Sequence, residues 1–404
     1  MTAERHVILY LPGTMRAFFD QSIDLVAHHL ANALSIKGSN QYRADGLAET
    51  LVIKPGIELK RRRLSGTADN TQTIDILEYD YTPRLAATLN DNGVLSQVLQ
   101  FLWLALRMTP TVGRLICLHL PAGHTQLKPV HRLFVAFIYA ASVLALVSIG
   151  SLAFSLIKGG LGTIQKQLLE CVVCRLHLPG FMLGELPQLS PNFADTVIIL
   201  AVLGAVFTFV ISLVPVRWPQ KFLGIGREYF GVTRYLLARE KEAAITAEIG
   251  EVIKFMQAQY PKAQYNLLAF SMGAVVAANH LFPRQADPAP STPPWRHVII
   301  MGFPYIIITA AFRRYFKERQ MPRMKFEWHN IFLTDDILGS RLKSHLPEMF
   351  AASSGRLNLS IDEQSVEAQA KKNEGVIKRH MAYWGDDSVG PSGAFHVCAE
   401  MLLR

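Results

Sequence analysis

The sequence predicts an α/β fold: a mostly parallel sheet flanked by helices and interrupted by a two-helix transmembrane hairpin. Three observations predict it. Short apolar, β-rich runs such as His6–Leu11 and Tyr265–Phe270 have the character of strands buried on both faces of a sheet. Glu240–Tyr260 carries apolar residues at helical spacing, Ile245, Ile249, Val252, Ile253 and Met256, and Pro261 ends it just before the second of those runs. Two long charge-free stretches, 133–157 and 196–216, stand between the two halves of this pattern.

Composition agrees. Of 404 residues, 50% are hydrophobic and only 18% charged, which excludes a disordered or fibrous chain and leaves apolar surface for lipid. Four cysteines exclude a disulfide scaffold and fit a reducing, intracellular main body. A net charge of +9 points to an anionic partner. The basic stretches Lys60-Arg61-Arg62-Arg63 and Arg313 to Lys325 lack the aromatic interleaving or Cys/His spacing of nucleic-acid modules, so a membrane surface is expected and nucleic acid is not. Most of these charges read as solvated loops and helix faces.

In chain order, His6–Leu11 is a buried strand that ends in the tight loop Pro12-Gly13-Thr14, and Ile74–Tyr79 is a second strand. No signal peptide is expected, because the short apolar run Val7–Leu11 lacks a basic flank and a cleavage site. Val94–Arg107, with Leu99, Phe101, Leu102, Trp103 and Leu106, is too short to span a bilayer. It reads equally as an interfacial helix or as an amphipathic helix packed on the domain. Leu133–Ile157, 25 residues, and Thr196–Val216, 21 residues, each suffice to cross the hydrocarbon core.

The flanks orient this hairpin. Arg107–Arg132 holds four Lys/Arg and no acid, and Arg217–Lys241 holds six Lys/Arg against two Glu. The connecting loop, Lys158–Asp195, balances three bases with three acids, so both large flanking segments are expected in the cytoplasm. Removing residues 118–222 leaves 404 − 105 = 299 residues, which suits one α/β domain split into segments 1–117 and 223–404. Cys171 and Cys174 in the loop lack further ligands or a redox context. His119, His124 and His131 lack metal-site spacing, so no metal and no cofactor is expected.

The chemistry concentrates after the hairpin. The strand Tyr265–Phe270 runs into Ala269-Phe270-Ser271-Met272-Gly273-Ala274 and then into the helical run Ala274–Leu281. A strained strand-to-helix turn at this place presents a serine hydroxyl as nucleophile, with the Met272 amide facing a developing oxyanion; the alternative is a helix N-cap serine. Arg296–Phe303 and Phe326–Leu333 are further strands, the latter ending in Thr334-Asp335-Asp336. Either Asp335 or Asp336 is placed to orient a histidine, or to cap a helix starting near Ile337. His345, His380 and His396 follow. His380 is favoured, in a loop-like setting beside Tyr383 and Trp384, whereas His396 falls in a terminal helix.

These residues resemble the α/β-hydrolase superfamily in its lipase- and esterase-like branches. The resemblance rests on Leu11-Pro12-Gly13-Thr14, on Ala-x-Ser-x-Gly at Ala269–Gly273 with alanine for the usual first glycine, and on Trp328-x-Asn330 leading to Asp336-Ile337-Leu338-Gly339. His380-x-x-Tyr383-Trp384 completes it. It covers residues 1 to about 90 and 225–404. It implies Ser271 as nucleophile, Asp336 as acid and His380 as base, with amides at Met272, Thr14 or Met15 forming an oxyanion hole.

The function expected from this is a membrane-anchored serine hydrolase acting on ester or thioester bonds of lipids or acylated substrates, with the bilayer as partner and self-association through the hairpin as a further contact. A non-catalytic receptor or assembly subunit on the same fold is the alternative. A transporter is disfavoured, because two spans without an intramembrane charge line no path.

Overall fold

The computed structural model describes residues 5–14, 22–38, 41–67, 72–85, 231–237, 239–284, 293–312, 326–333, 358–360, 382–384 and 393–403, with positions 315–316, 319–320, 336, 339, 342 and 380. All belong to one of two units into which the chain divides, the one comprising residues 1–88, 120–125 and 227–404. Among the described residues no helix is long and apolar enough to cross a membrane. The expected spans 133–157 and 196–216 and the apolar segment Val94–Arg107 lie outside the described residues.

The core is an eight-stranded sheet: β1 (Arg5–Leu11), β2 (Tyr42–Lys54), β3 (Ile57–Gly66), β4 (Thr73–Tyr79), β5 (Gln264–Phe270), β6 (Trp295–Met301), β7 (Glu327–Phe332) and β8 (Asn358–Ser360). Their spatial order is β2-β3-β4-β1-β5-β6-β7-β8. Pairing is parallel from β4 through β1 to β8 and antiparallel only at β2-β3 and β3-β4. β5 therefore adds directly beside β1, so one sheet is built from chain segments separated by more than 170 residues of sequence.

Side chains alternate between the faces. Val7, Leu9 and Leu11 join a cluster under α2 (Arg239–Gln259) and α3 (Met272–Leu281), while Ile8 and Tyr10 join one under α1 (Ile23–Lys37) and α5 (Gly393–Leu403). Buried on both faces, β1, β5 and β6 read as continuous apolar runs, which is why they are legible in the sequence. A further short helix, α4 (Tyr305–Ala311), follows β6.

The first basic stretch lies on a strand and not in the loop or helix face expected; of the bases in the second, Arg313 to Lys325, only Arg319 is among the described residues. Lys60–Arg63 lies on β3, where Arg62 reaches Asp24 at 3.2 Å, Arg61 pairs with Glu49 and Arg63 reaches the fully buried Asp75 at 3.1 Å. Arg5 holds the other Asp75 oxygen at 2.6 Å, so two guanidinium groups neutralise a carboxylate inside the sheet. Arg319, in the second basic stretch, is likewise buried and donates to Glu242 on α2 at 2.6 Å. Strand register and helix packing bring these opposite charges together, which a linear sequence does not display.

The chain leaves β1 toward β4 on one side and reaches β5 on the other. In open α/β sheets such a divergence opens a crevice at the carboxyl ends of the two strands. Pro12-Gly13-Thr14 and Ser271 both stand there.

Candidate active site

Ser271 is the single residue between β5 and α3. Its backbone, φ 51° and ψ −116°, makes it the one non-glycine residue with positive φ among those described. Such a conformation costs on the order of 1–3 kcal/mol and persists only where the surroundings enforce it. Two contacts enforce it. The Ser271 amide donates to the Met301 carbonyl at the end of β6 at 2.9 Å, and the Ser271 carbonyl accepts from the Ala274 amide at 3.0 Å. Gly273 then brings the first turn of α3 against the end of β1, where a Cβ would meet the Leu11 and Pro12 carbonyl oxygens at 2.2 and 2.6 Å. Ala269 is fully buried, in register between Leu11 and Ile300.

Ser271 occupies the N-cap position of α3, but its side chain makes no cap hydrogen bond. Its Oγ lies 2.9 Å from His380 Nε2. On the far side of the imidazole, Nδ1 lies 2.8 and 3.0 Å from the two oxygens of Asp336. A carboxylate only accepts, so Nδ1 carries the proton and Nε2 is left to accept from the serine hydroxyl. All three residues are buried, between 3% and 8% exposed, so the chain of hydrogen bonds is shielded from competing water.

Each partner is itself located. Asp336 follows β7, its amide bonded to the Leu333 carbonyl at 3.2 Å. The Tyr383 hydroxyl donates to Asp336 Oδ2 at 2.9 Å. The His380 ring stacks on Phe270, centroids 4.9 Å apart, with Gly302 at its edge: a Cβ there would meet His380 Cε1 at 3.0 Å. Gly302 also has φ +60°, so both conformation and space call for glycine. His380 is itself helical, not in a loop as expected, and stands two residues before the 3-10 turn Ala382–Trp384, whose aromatic rings pack on Phe270.

Met272 is the first residue of α3, and amides in the first turn of a helix have no intrahelical acceptor. Thr14 follows the end of β1 in the same crevice, on a loop pinned by the Tyr81 hydroxyl donating to the Pro12 carbonyl at 2.7 Å. Met15, Asp335 and His345 lie outside the described residues. His396 is half-buried on α5, where burial lowers its imidazole pKa, and it takes no part in the Ser271–His380–Asp336 chain. The tie from Tyr383 to Asp336 was not read from the sequence, although His380-x-x-Tyr383 places the hydroxyl one turn from the imidazole.

Comparison of the chain with family models, with curated proteins and with solved structures found no match. A second group of polar side chains, also not singled out in the sequence, lies elsewhere in the sheet: donor atoms of His297, Glu327 and His329 converge within 4.8 Å of one another.

Proposed function

We propose that the chain is a membrane-anchored serine hydrolase of α/β-hydrolase type that cleaves carboxylic ester or thioester bonds of lipids or acylated substrates. The observation that carries this is the unbroken chain Ser271 Oγ, His380, Asp336, with contacts of 2.9 and 2.8 Å, at a strained strand-to-helix turn.

In this mechanism His380 Nε2 takes the hydroxyl proton as Ser271 Oγ attacks the acyl carbonyl, and Asp336 stabilises the resulting imidazolium while fixing its tautomer. The Met272 amide, with an amide near Thr14 or Met15, donates hydrogen bonds to the oxyanion. Collapse of the tetrahedral intermediate expels the alcohol or thiol, protonated by His380, and leaves an acyl-serine. Water, deprotonated by His380, adds to the acyl carbon; collapse releases the acid and returns the proton to Ser271. Membrane anchoring rests on the apolar stretches 133–157 and 196–216 and their basic flanks, which would hold the crevice near acyl substrates and anionic head groups.

The test is labelling of detergent-solubilised protein with a fluorophosphonate probe. Wild type is expected to label, and Ser271→Ala and His380→Ala are expected not to. Folded wild type that stays unlabelled while a control hydrolase reacts, or full labelling of Ser271→Ala, overturns the mechanism. A panel of soluble and membrane-borne esters then tests the substrate class: equal turnover of both removes the lipid part of the proposal.

A further inference from the structure

β6 and β7 run parallel with His297 opposite Glu327 and Ile299 opposite His329. Because side chains alternate along a strand, Glu327 and His329 share one face of β7, and register places His297 on the same face of β6. Three donor atoms meet there. His297 Nδ1 lies 3.2 Å from Glu327 Oε2, His329 Nε2 lies 3.5 Å from the same oxygen, and the two imidazole nitrogens are 3.4 Å apart.

Two of these separations are long for hydrogen bonds, whose N···O and N···N distances centre near about 3 Å. They are the right size for a different arrangement. Zinc binds imidazole nitrogen at about 2.0–2.1 Å and carboxylate oxygen at about 2.0–2.2 Å in a tetrahedron, whose edge is about 1.6 times the bond length, or roughly 3.4 Å. The three observed edges bracket that value. The wider set of six oxygen ligands preferred by magnesium or calcium is chemically different from two imidazoles and one carboxylate.

We propose that His297 Nδ1, His329 Nε2 and Glu327 Oε2 form a zinc site with the fourth position open to water or a further ligand. Both histidines are buried, whereas the Glu327 side chain is 54% exposed, which gives the ion a route in from solvent. One strand over, Asn266 stands in register with His297. It is 1% exposed, and neither its amide nitrogen nor its amide oxygen makes a hydrogen bond among the described residues. A buried amide beside this face is a ready partner for a metal-bound water or for a ligand's second nitrogen.

The site lies at the starts of β6 and β7, while Ser271 and Asp336 lie past the carboxyl ends of β5 and β7, toward the other ends of the strands. Zinc here clamps β6 to β7. Those two strands carry the Met301 carbonyl that holds the Ser271 amide and the turn that holds Asp336. The role is therefore structural support of the sheet under the site, and it stands or falls independently of the serine chemistry.

The full chain, detergent-solubilised and carrying Cys171→Ser and Cys174→Ser to remove the thiol pair, is stripped with a chelator and titrated with zinc against a competing chelating dye. One zinc per chain is expected, with a raised melting temperature on loading. Cobalt in its place is expected to give the intense visible absorption of a four-coordinate ion. Glu327→Gln, at an exposed position that tolerates substitution, is expected to weaken zinc by at least about ten-fold, and His329→Gln to abolish it. Absence of zinc binding tighter than millimolar, or affinity unchanged in Glu327→Gln, overturns the proposal.

Discussion

The Tyr383 hydroxyl bridges Asp336 and the main chain: it donates to Asp336 Oδ2 at 2.9 Å and accepts from the Leu333 amide at 3.0 Å. The same carboxylate oxygen accepts from His380 Nδ1 at 2.8 Å. The acid is thus held by a side chain only three residues past the imidazole it orients, so His380 and Tyr383 together fix the Asp–His contact. Gly339 closes the other side, where a Cβ would sit 2.3 Å from Asp336 Oδ2 and 2.6 Å from the tyrosine oxygen.

Tyr383→Phe keeps the buried ring and deletes only this bridge. A hydrogen bond to a charged group contributes about 1.5–3 kcal/mol. The rate of fluorophosphonate labelling is expected to fall about ten-fold or more, with the fold retained and Ser271 still the modified residue. Labelling at the wild-type rate would show that Asp336 needs no such support.

Strain at Ser271 makes a separate prediction. Ser271→Ala and Ser271→Gly both remove the hydroxyl, but only glycine adopts φ 51° without steric cost. Relief of strain worth about 1–3 kcal/mol, less about 1 kcal/mol for the freer unfolded glycine, is expected to make Ser271→Gly the more stable variant by about 1 kcal/mol. Denaturant melts of the two variants side by side measure this, and an equal or lower midpoint for glycine would show the turn to be unstrained.

Glycines in adjoining helices are expected to respond in opposite directions. At Gly273 an added methyl meets two backbone carbonyl oxygens at 2.2 and 2.6 Å, atoms that cannot rotate away. Gly273→Ala is expected to cost about 3 kcal/mol and to abolish labelling by pushing α3 off β1. At Gly250, inside α2, nothing lies within 4 Å of the same methyl, so Gly250→Ala is expected to gain about 0.5–1 kcal/mol with labelling unchanged. Thermal melts and probe labelling of both variants check the pair.

Legibility followed burial. β1, β4, β5, β6 and β7 were readable within a residue or two because strands covered on both faces are dominated by apolar and β-branched residues, with only a few polar ones such as Asp75, Glu78 and Asn330 among them, and α2 was readable from its period. The β2–β3 hairpin was not, since its outer faces are exposed and Arg61, Arg62 and Arg63 find their acids only through pairing and packing. The order Ser271, Asp336, His380 could be read from motifs, because Ser271 and Asp336 follow recognisable strands and His380 stands just before the aromatic pair Tyr383-Trp384. The His297, Glu327 and His329 group could not: Glu327-x-His329 is unremarkable until the register of β6 against β7 brings His297 to it.

His280, on α3, supplies a pH dependence. Burial pushes its imidazole down to about 4, against 6.5 for the exposed group. Between those values the unfolded chain takes up a proton that the folded chain refuses, so stability rises with pH across that window. The contribution is complete above pH 6.5 and is lost as pH falls toward about 4, at about 1.4 kcal/mol per pH unit, or roughly 3 kcal/mol in all. His280→Leu, which keeps an apolar side chain of similar bulk and cannot titrate, is expected to show a flatter decline of melting temperature with acidification than wild type. Parallel curves for the two proteins would mean that His280 does not remain neutral at the cost of acid stability, and that the acid-sensitive groups lie elsewhere in the chain.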